Sequence, residues 1–302
     1  MKEILGLILV FLLTSCGQAS VSAVIDLSNL KPLPPAAVST IEPLRVSVAA
    51  VLSPQGTADS YRPLLDYLSR TLERPVELVQ RQTYAETNLL IEQGLVDVAF
   101  VCTSAYVAGH DEFGMELLAA PLVNHETVYY SVLIVPAGSG AESMEDLRGG
   151  VFAFTDPISH TGRVYPTYLV GQLGASPEQF FERTFFTYSH DDAIQAVAEE
   201  IADGASVDSI VYDFAVARDP SLAQKVRIID RSPPFGIPPV VVSPNIRPQL
   251  RALLQQALFN LSTDPNAQEA LNALGFEGFV EIDDSSYDSV RQVVETVGAL
   301  SP

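Results

Sequence analysis

The segment of the sequence best suited to chemistry is a run of small and hydroxyl-bearing residues, FTDPISHTG, at positions 154–162. The apolar residues before it predict a strand ending at Thr155, and those after it predict a helix beginning near Thr161. The first turn of a helix offers free backbone N–H groups and the positive end of the helix dipole, which together bind anions. Ser159 and Thr161 would add hydroxyl donors, and Gly162 would let a ligand approach the backbone closely. The same residues also fit an ordinary helix cap without a ligand.

Signals for catalysis or for a bound metal are weak. The sequence contains no GxSxG elbow, phosphate-binding loop or dinucleotide fingerprint, and its four histidines show no metal-binding spacing. Cys102 and His190 could in principle form a nucleophilic pair, but the sequence does not show their mutual geometry. We therefore expect a binding protein without cofactor or metal, and not an enzyme.

The charge balance restricts the partners. The chain has 17 basic and 37 acidic side chains, which gives a net charge of −20. Such a surface repels nucleic acid and does not steer anions towards the protein. Any bound anion must therefore be held by local hydrogen-bond donors rather than by a basic patch.

The N-terminus has the features of an export signal. Lys2 precedes the apolar run Ile4–Leu13, which is followed by Leu13-Thr14-Ser15-Cys16. The run is shorter than the roughly 20 residues that span a bilayer. We predict a lipoprotein signal peptide at 1–15, acylation of Cys16, and a tether at 16–43 that joins the lipid to the domain. The alternative is an ordinary signal peptide cut nearby.

From residue 44 onwards, short apolar runs alternate with amphipathic helical patterns, which predicts an α/β fold. Two extended segments, 129–136 and 238–243, separate a middle set of strands and helices from the flanking ones. We expect two lobes joined by a two-strand hinge, each with a mostly parallel sheet flanked by helices. The first lobe would comprise 44–135 and 237–302, and the inserted second lobe 136–236. After the second crossing the pattern predicts helices only.

Several motifs occur in an order that is typical of one family. They are DPxSxTG at 156–162, FVCTSAYV at 100–107, YSHDDAIQAV at 188–197, VDSIVYD at 207–213 and SPPFGIPPVVV at 232–242. The chain from Leu44 to about Leu300 resembles the PhnD-like family, the phosphonate-, phosphite- and phosphate-binding components of ABC importers. The resemblance implies a type II periplasmic binding protein fold. It also implies that the lobes close around a small oxyanion at the helix that begins near Thr161.

The resemblance also implies which side chains meet the ligand. The residues at matching positions are Ser159, His160, Thr161, Gly162, Tyr61, Cys102, Thr103, Tyr106, Tyr130, His190 and Asp208. Tyr129 is the alternative to Tyr130, because alternation along a strand lets only one of them face the cleft. Asp208 matches an acidic residue that can meet a ligand amine in phosphonate binders.

Cys102 allows two interpretations. It is either a small buried packing residue at a strand end or a thiol in contact with the ligand. A related branch of the family senses arsenite, for which a thiolate is a suitable soft ligand. The predicted function is an exported, lipid-anchored receptor that delivers a small oxyanion to an ABC permease. The alternative is a ligand-sensing subunit that acts on a membrane histidine kinase, with arsenite bound through Cys102 as one candidate ligand.

Overall fold

The computed structural model of the protein describes residues 41–298. The predicted signal peptide, Cys16 and most of the tether lie outside the described residues. Within 41–298, no helix is both long enough and apolar enough to cross a membrane.

Within residues 41–298, thirteen strands form the sheets. They are β1 Leu44–Val48, β2 Val76–Val79, β3 Val98–Phe100, β4 Glu116–Leu122, β5 Val128–Tyr129, β6 Ser131–Pro136, β7 Val151–Phe154, β8 Arg183–Phe186, β9 Gly204–Asp208, β10 Val226–Arg231, β11 Phe235–Gly236, β12 Val240–Val242 and β13 Gly278–Val280.

Eleven α-helices cover or connect these strands in the described part of the chain. They are α1 Pro54–Thr71, α2 Tyr84–Glu92, α3 Thr103–Phe113, α4 Tyr165–Gln172, α5 Pro177–Phe180, α6 His190–Ala198, α7 Ser209–Arg218, α8 Leu222–Lys225, α9 Pro248–Asn260, α10 Gln268–Leu274 and α11 Asp288–Val297.

The first sheet has six strands in the order β13-β4-β12-β3-β1-β2. β1 runs parallel to both β2 and β3, whereas β12 and β13 pair antiparallel with their neighbours. Alternate residues of one strand face opposite apolar clusters, as the pleat requires: Val240 and Val242 face one cluster and Val241 the other. The sheet is therefore covered by helices on both faces.

The second sheet has five strands in the order β10-β6-β9-β7-β8. β7 runs parallel to β8 and β9, while β6 and β10 are antiparallel additions. The α/β class and the two-lobed architecture agree with the sequence prediction. The sheets, however, are mixed rather than mostly parallel, because the connecting strands themselves join the sheets.

The chain passes between the two sheets at β5 and β11, which pair as a two-stranded antiparallel ribbon. β6 belongs to the second sheet, although the predicted limit at 135 places nearly all of it in the first lobe. The prediction of helices only after the second crossing is also wrong. β13 pairs with β4 at the edge of the first sheet. A three-residue strand is too short to show periodicity in the sequence.

Candidate functional site

Two loops, one from each sheet, meet where parallel strands end. β3 leads to Cys102, which precedes α3, and β7 leads through Thr155 to Ser159. The Cys102 Sγ accepts a hydrogen bond from the His160 backbone N–H at 3.4 Å. The Ser104 Oγ lies 3.1 Å from the Nδ1 of His160. The structure thus brings the predicted oxyanion segment directly against the predicted cysteine loop.

The helix at this junction begins with a single π-turn, His160–Val164, and continues as α4. The Ser159 side chain caps it, because its Oγ accepts a hydrogen bond from the Gly162 N–H at 3.1 Å. Gly162 has a different role from the expected one. A Cβ at this position would lie 1.9 Å from the Thr155 Oγ1, so the space is filled by Thr155 rather than kept for a ligand.

Four buried polar groups around this junction have no hydrogen-bond partner among residues 41–298. They are Tyr84 Oη, Thr155 Oγ1, Thr161 Oγ1 and His160 Nε2. Burial lowers the pKa of His160 to about 3, so its ring is neutral at pH 7. Buried polar groups are nearly always paired, so a cluster of unpaired ones indicates a site for an additional molecule.

Tyr84 was missed by the sequence analysis. It is the first residue of α2, whose preceding strand β2 ends at the same edge of the sheet as β3. Its hydroxyl is buried near Cys102 and Ser159. Its position just after a strand that is parallel to β1 was the available signal, because ligand sites gather at the carboxyl ends of such strands.

Asp156 is the second residue that sequence reasoning did not single out, although it lies inside the motif. Its Oδ2 accepts a hydrogen bond from the Tyr84 backbone N–H at 3.0 Å, and its Oδ1 accepts one from the Ile158 N–H at 2.9 Å. Burial raises the pKa of Asp156 to about 6, although these two hydrogen bonds oppose the shift. Asp156 therefore links the loop after β7 to the start of α2 in the other lobe.

Of the two neighbouring tyrosines of the crossing segment, Tyr129 lies beside the cysteine loop. Its hydroxyl lies 2.7 Å from the Thr103 Oγ1, and the whole side chain is buried beside the cysteine loop. Tyr130 points the other way, with the Arg231 guanidinium 3.9 Å from its ring centroid. The structure thus places Tyr129 with the candidate site and does not place Tyr130 there.

His190 and Asp208 form a third part of the junction. The Asp208 backbone N–H donates to the His190 Nδ1 at 3.0 Å, and the His190 N–H donates to the Val51 carbonyl of the other lobe at 2.9 Å. Burial lowers the pKa of His190 to about 3. The Asp208 Oδ1 accepts from the Ile210 and Val211 N–H groups, which caps α7. Burial nevertheless raises the pKa of Asp208 to about 7.

The remaining two predicted residues, Tyr61 and Tyr106, make their described contacts with other parts of the fold. Tyr61 packs edge-on against Phe100, with ring centroids 5.0 Å apart, and lines a pocket that also contains Asp208. The Tyr106 hydroxyl donates to the Asp284 Oδ1 at 2.7 Å. The prediction that Tyr106 faces the cleft is not supported, because this hydrogen bond ties it to the loop before α11.

The site contains neutral donors rather than cations. The nearest arginine in sequence, Arg163, holds its guanidinium 4.2 Å from the Phe154 ring centroid and 3.9 Å from the Glu178 Oε1. Burial raises the pKa of the Cys102 thiol, which keeps it protonated at neutral pH. Within residues 41–298, no three of His, Cys, Asp and Glu come together as candidate metal ligands.

This arrangement is suited to binding a small oxyanion. A helix start, three unpaired hydroxyls and a neutral imidazole would satisfy negatively charged oxygens without bringing a charged side chain into a buried space. The Cys102 Sγ and the His190 Nδ1 are each engaged with a backbone N–H, and the described contacts do not form a nucleophile–base pair from them.

Comparison with known proteins agrees with this chemistry. A family model described as "ABC transporter, phosphonate, periplasmic substrate-binding protein" matches residues 46–287. A binding protein component of an ABC phosphonate transporter from Pseudomonas aeruginosa is 23% identical, with a TM-score of 0.78 over 83% of this chain and 84% of that one.

Two further structures have the same fold. PhnD1 from Prochlorococcus marinus, solved in complex with methylphosphonate, is 16% identical with a TM-score of 0.75, over 84% of this chain and 97% of that one. A histidine kinase sensor domain with similarity to periplasmic binding proteins is 17% identical with a TM-score of 0.54, over 79% of this chain and 99% of that one.

Proposed function

The chain belongs to the family of periplasmic substrate-binding proteins of ABC phosphonate transporters, and from that membership we propose that it captures a phosphorus oxyanion between its two lobes for import. The candidate ligands are a phosphonate, phosphite or phosphate. The partner that receives the ligand would be the permease of an ABC importer. We propose binding and release without turnover.

The observation that carries this proposal is the cluster of buried, unpaired donors at the start of the Ser159-capped helix. Thr155 and Thr161 belong to one lobe and Tyr84 to the other, so a ligand oxyanion would connect the two lobes. Hydrogen bonds to charged oxygens contribute roughly 1.5–3 kcal/mol each. A few of them would give micromolar or tighter binding after the cost of ordering the ligand.

The mechanism we propose is hinge closure about the β5–β11 ribbon. The ligand would bind the helix start in one lobe, and closure would add Tyr84 and the Cys102 loop from the other. The equilibrium between open and closed forms shifts by the difference in ligand affinity between them. Contacts such as the one between the His190 N–H and the Val51 carbonyl would form only on closure.

We further propose that export and a lipid anchor on Cys16 hold the receptor at the outer face of the membrane. A net charge of −20 favours solubility once the chain has crossed the membrane. Mass spectrometry of the mature N-terminus after expression in a host that acylates lipoproteins tests this. An unmodified Cys16 would contradict the anchor and leave the binding function unaffected.

The binding function is tested by thermal stabilisation of the soluble form, lacking 1–16, with phosphate, phosphite, methylphosphonate, 2-aminoethylphosphonate, arsenate and arsenite. Stabilisation by a phosphorus oxyanion, retained in Cys102→Ser, supports the proposal. A ligand at 100 times its Kd stabilises the folded state by about 2.7 kcal/mol, which is readily measured. If none of the phosphorus compounds raises the melting temperature, the proposal fails.

A second candidate function is a sensor for arsenite that acts on a histidine kinase. The position of the Cys102 Sγ, 3.4 Å from the His160 N–H at the helix start, is the observation that favours it. The raised pKa of that thiol opposes it, because a metalloid ligand must be deprotonated. Stabilisation by arsenite alone, abolished in Cys102→Ser, would support the sensor and exclude the phosphorus ligand.

A further inference from the structure

The pocket lined by Tyr61 and Asp208 is a cavity beside the candidate oxyanion site. It is about 80 Å³ in volume and is lined by residues of both lobes. Most of its wall is carbon, contributed by Leu52, Phe100, Ile210, Val211, Phe214 and Ile237. We refer to the cavity lined by these six residues and Asp208 as the apolar pocket.

A short chain of contacts connects the apolar pocket to the start of the helix at Thr161. Asp208 pairs with Ser131 across β9 and β6. The Ser131 Oγ in turn donates to the Thr161 carbonyl at 2.9 Å. Val101, which precedes Cys102, also lines the pocket. We therefore expect a ligand headgroup at Thr161 to extend its substituent towards the apolar pocket.

The polar side chains that line the apolar pocket are Asp208, Tyr61 and Ser60, and the buried Ser60 Oγ has no hydrogen-bond partner among residues 41–298. The Asp208 Oδ1 already accepts hydrogen bonds from the Ile210 and Val211 N–H groups as the cap of α7. The Tyr61 hydroxyl is a neutral group whose pKa is raised by burial and by the charge of Asp208. A cationic substituent would thus have to give up its hydration for one carboxylate, whose Oδ1 already caps α7, and for the neutral hydroxyls of Tyr61 and Ser60.

Resting on the function proposed above, we propose that the ligand is a phosphonate with a short, uncharged, apolar organic substituent, which lies in the apolar pocket. Inorganic phosphate or phosphite would leave the carbon walls in contact with water. An aminoalkyl phosphonate would place an ammonium group among them. An alkyl or aryl substituent instead removes apolar surface from water on both sides of the contact.

The decisive comparison uses propylphosphonate and 2-aminoethylphosphonate, which have the same number of non-hydrogen atoms and differ by a terminal methyl against an ammonium group. Affinities are measured by titration calorimetry at pH 8, together with methylphosphonate and phosphate. We expect propylphosphonate to bind about 10-fold more tightly than methylphosphonate, from the two added CH₂ groups. The protein should bind 2-aminoethylphosphonate at least 10-fold more weakly than propylphosphonate.

A pair of isosteric substitutions on α7 gives the matched test. Val211→Thr adds a hydroxyl to the wall of the apolar pocket, whereas Val216→Thr makes the same change on the same helix outside the pocket. We expect Val211→Thr to weaken propylphosphonate binding several-fold and to leave methylphosphonate binding unchanged. Val216→Thr should change the affinity for neither ligand. Melting temperatures identify any variant that fails to fold.

Failure of this inference is distinct from failure of the proposed function. If phosphate and methylphosphonate bind but the propyl group adds no affinity, the proposed apolar substituent is wrong. The same holds if 2-aminoethylphosphonate binds more tightly than propylphosphonate. In both cases the proposed oxyanion-binding function is unaffected. If no phosphorus compound in the series binds, both proposals fall.

Discussion

The Asp156 carboxylate accepts a hydrogen bond from the Tyr84 backbone N–H at 3.0 Å, across 72 residues of sequence. Asp156 follows a strand of the second sheet, whereas Tyr84 begins a helix that packs on the first. This carboxylate therefore connects the two lobes by a hydrogen bond beside the unpaired hydroxyls of the candidate site. Its second oxygen is held by the Ile158 N–H within its own turn.

Asp156→Asn should weaken ligand binding about 10- to 100-fold. The amide has a single acceptor oxygen, so it can keep the bond from Ile158 but not the one from Tyr84 as well. Hydrogen bonds to charged groups contribute about 1.5–3 kcal/mol, which sets the size of the effect. Titration calorimetry with the best phosphorus ligand measures it, and unchanged affinity would show that this bond does not stabilise the closed form.

Removing single unpaired hydroxyls should have opposite effects on stability and on affinity. Tyr84→Phe and Thr161→Val delete hydroxyls that are buried without a partner in the ligand-free protein. We expect an unchanged or higher melting temperature without ligand, because a buried unsatisfied group is lost. Ligand affinity should fall about 10-fold or more in each variant.

Tyr212→Phe is the control for that pair, because the Tyr212 hydroxyl already donates to the Val226 carbonyl at 3.4 Å outside the candidate site. It should leave ligand affinity unchanged. If Thr161→Val binds the ligand like the parent protein, the hydroxyl is not part of the site.

Gly162→Ala should destabilise the fold by about 1–3 kcal/mol, because the new methyl group would overlap Thr155 in a packed interior. The matched change Gly171→Ala places a methyl group on an exposed position of α4 with nothing within 4 Å. It should stabilise the fold by up to about 1 kcal/mol through helix propensity. Urea unfolding of both variants measures the contrast, and equal effects would contradict the packing explanation.

Tyr129→Phe and Tyr130→Phe should differ in ligand affinity. Tyr129 holds the Thr103 side chain beside Cys102, whereas Tyr130 packs under Arg231 on the other side of the strand. We expect Tyr129→Phe to weaken binding several-fold and Tyr130→Phe to leave it unchanged. The reverse result would place the ligand on the Arg231 side of the crossing segment.

The stability that Asp156 and Asp208 give to the ligand-free protein should fall as the pH rises from 5 to 8, and below about pH 6.5 the buried neutral His160 and His190 act in the opposite direction. Burial raises the pKa of Asp156 to about 6 and of Asp208 to about 7, above the values near 4 of an unfolded chain. A carboxyl with a raised pKa binds its proton more tightly when folded. Its stabilising effect is therefore complete below about pH 4 and is lost as the pH passes through 6 and 7.

Asp208→Asn should reduce this pH dependence, because an amide keeps the α7 cap but does not titrate. The exposed Asp66→Asn removes the same charge elsewhere on the surface and should not reduce it. Melting temperatures across the pH range measure the difference. Identical profiles for the parent and Asp208→Asn would show that Asp208 does not titrate in this window.

The sequence by itself determined the features that depend on neighbouring residues. The alternation of strands and helices and the capped helix after Thr155 follow from periodicity and from local hydrogen bonding. The net charge of −20 likewise predicts that a bound anion is held by local hydrogen-bond donors rather than by a basic patch. These features can be predicted from the sequence because they depend on backbone geometry and hydrogen bonding within one or two turns of the chain.

Only the tertiary structure decided which groups meet across the two sheets. The pairing of Cys102 with His160, the contact of Asp156 with Tyr84 and the choice of Tyr129 over Tyr130 depend on the register and twist of strands far apart in sequence. Gly162 shows the same limit, because its motif predicted room for a ligand and the fold filled that room with Thr155. Packing partners are set by the whole chain, and spacing within one segment does not contain them.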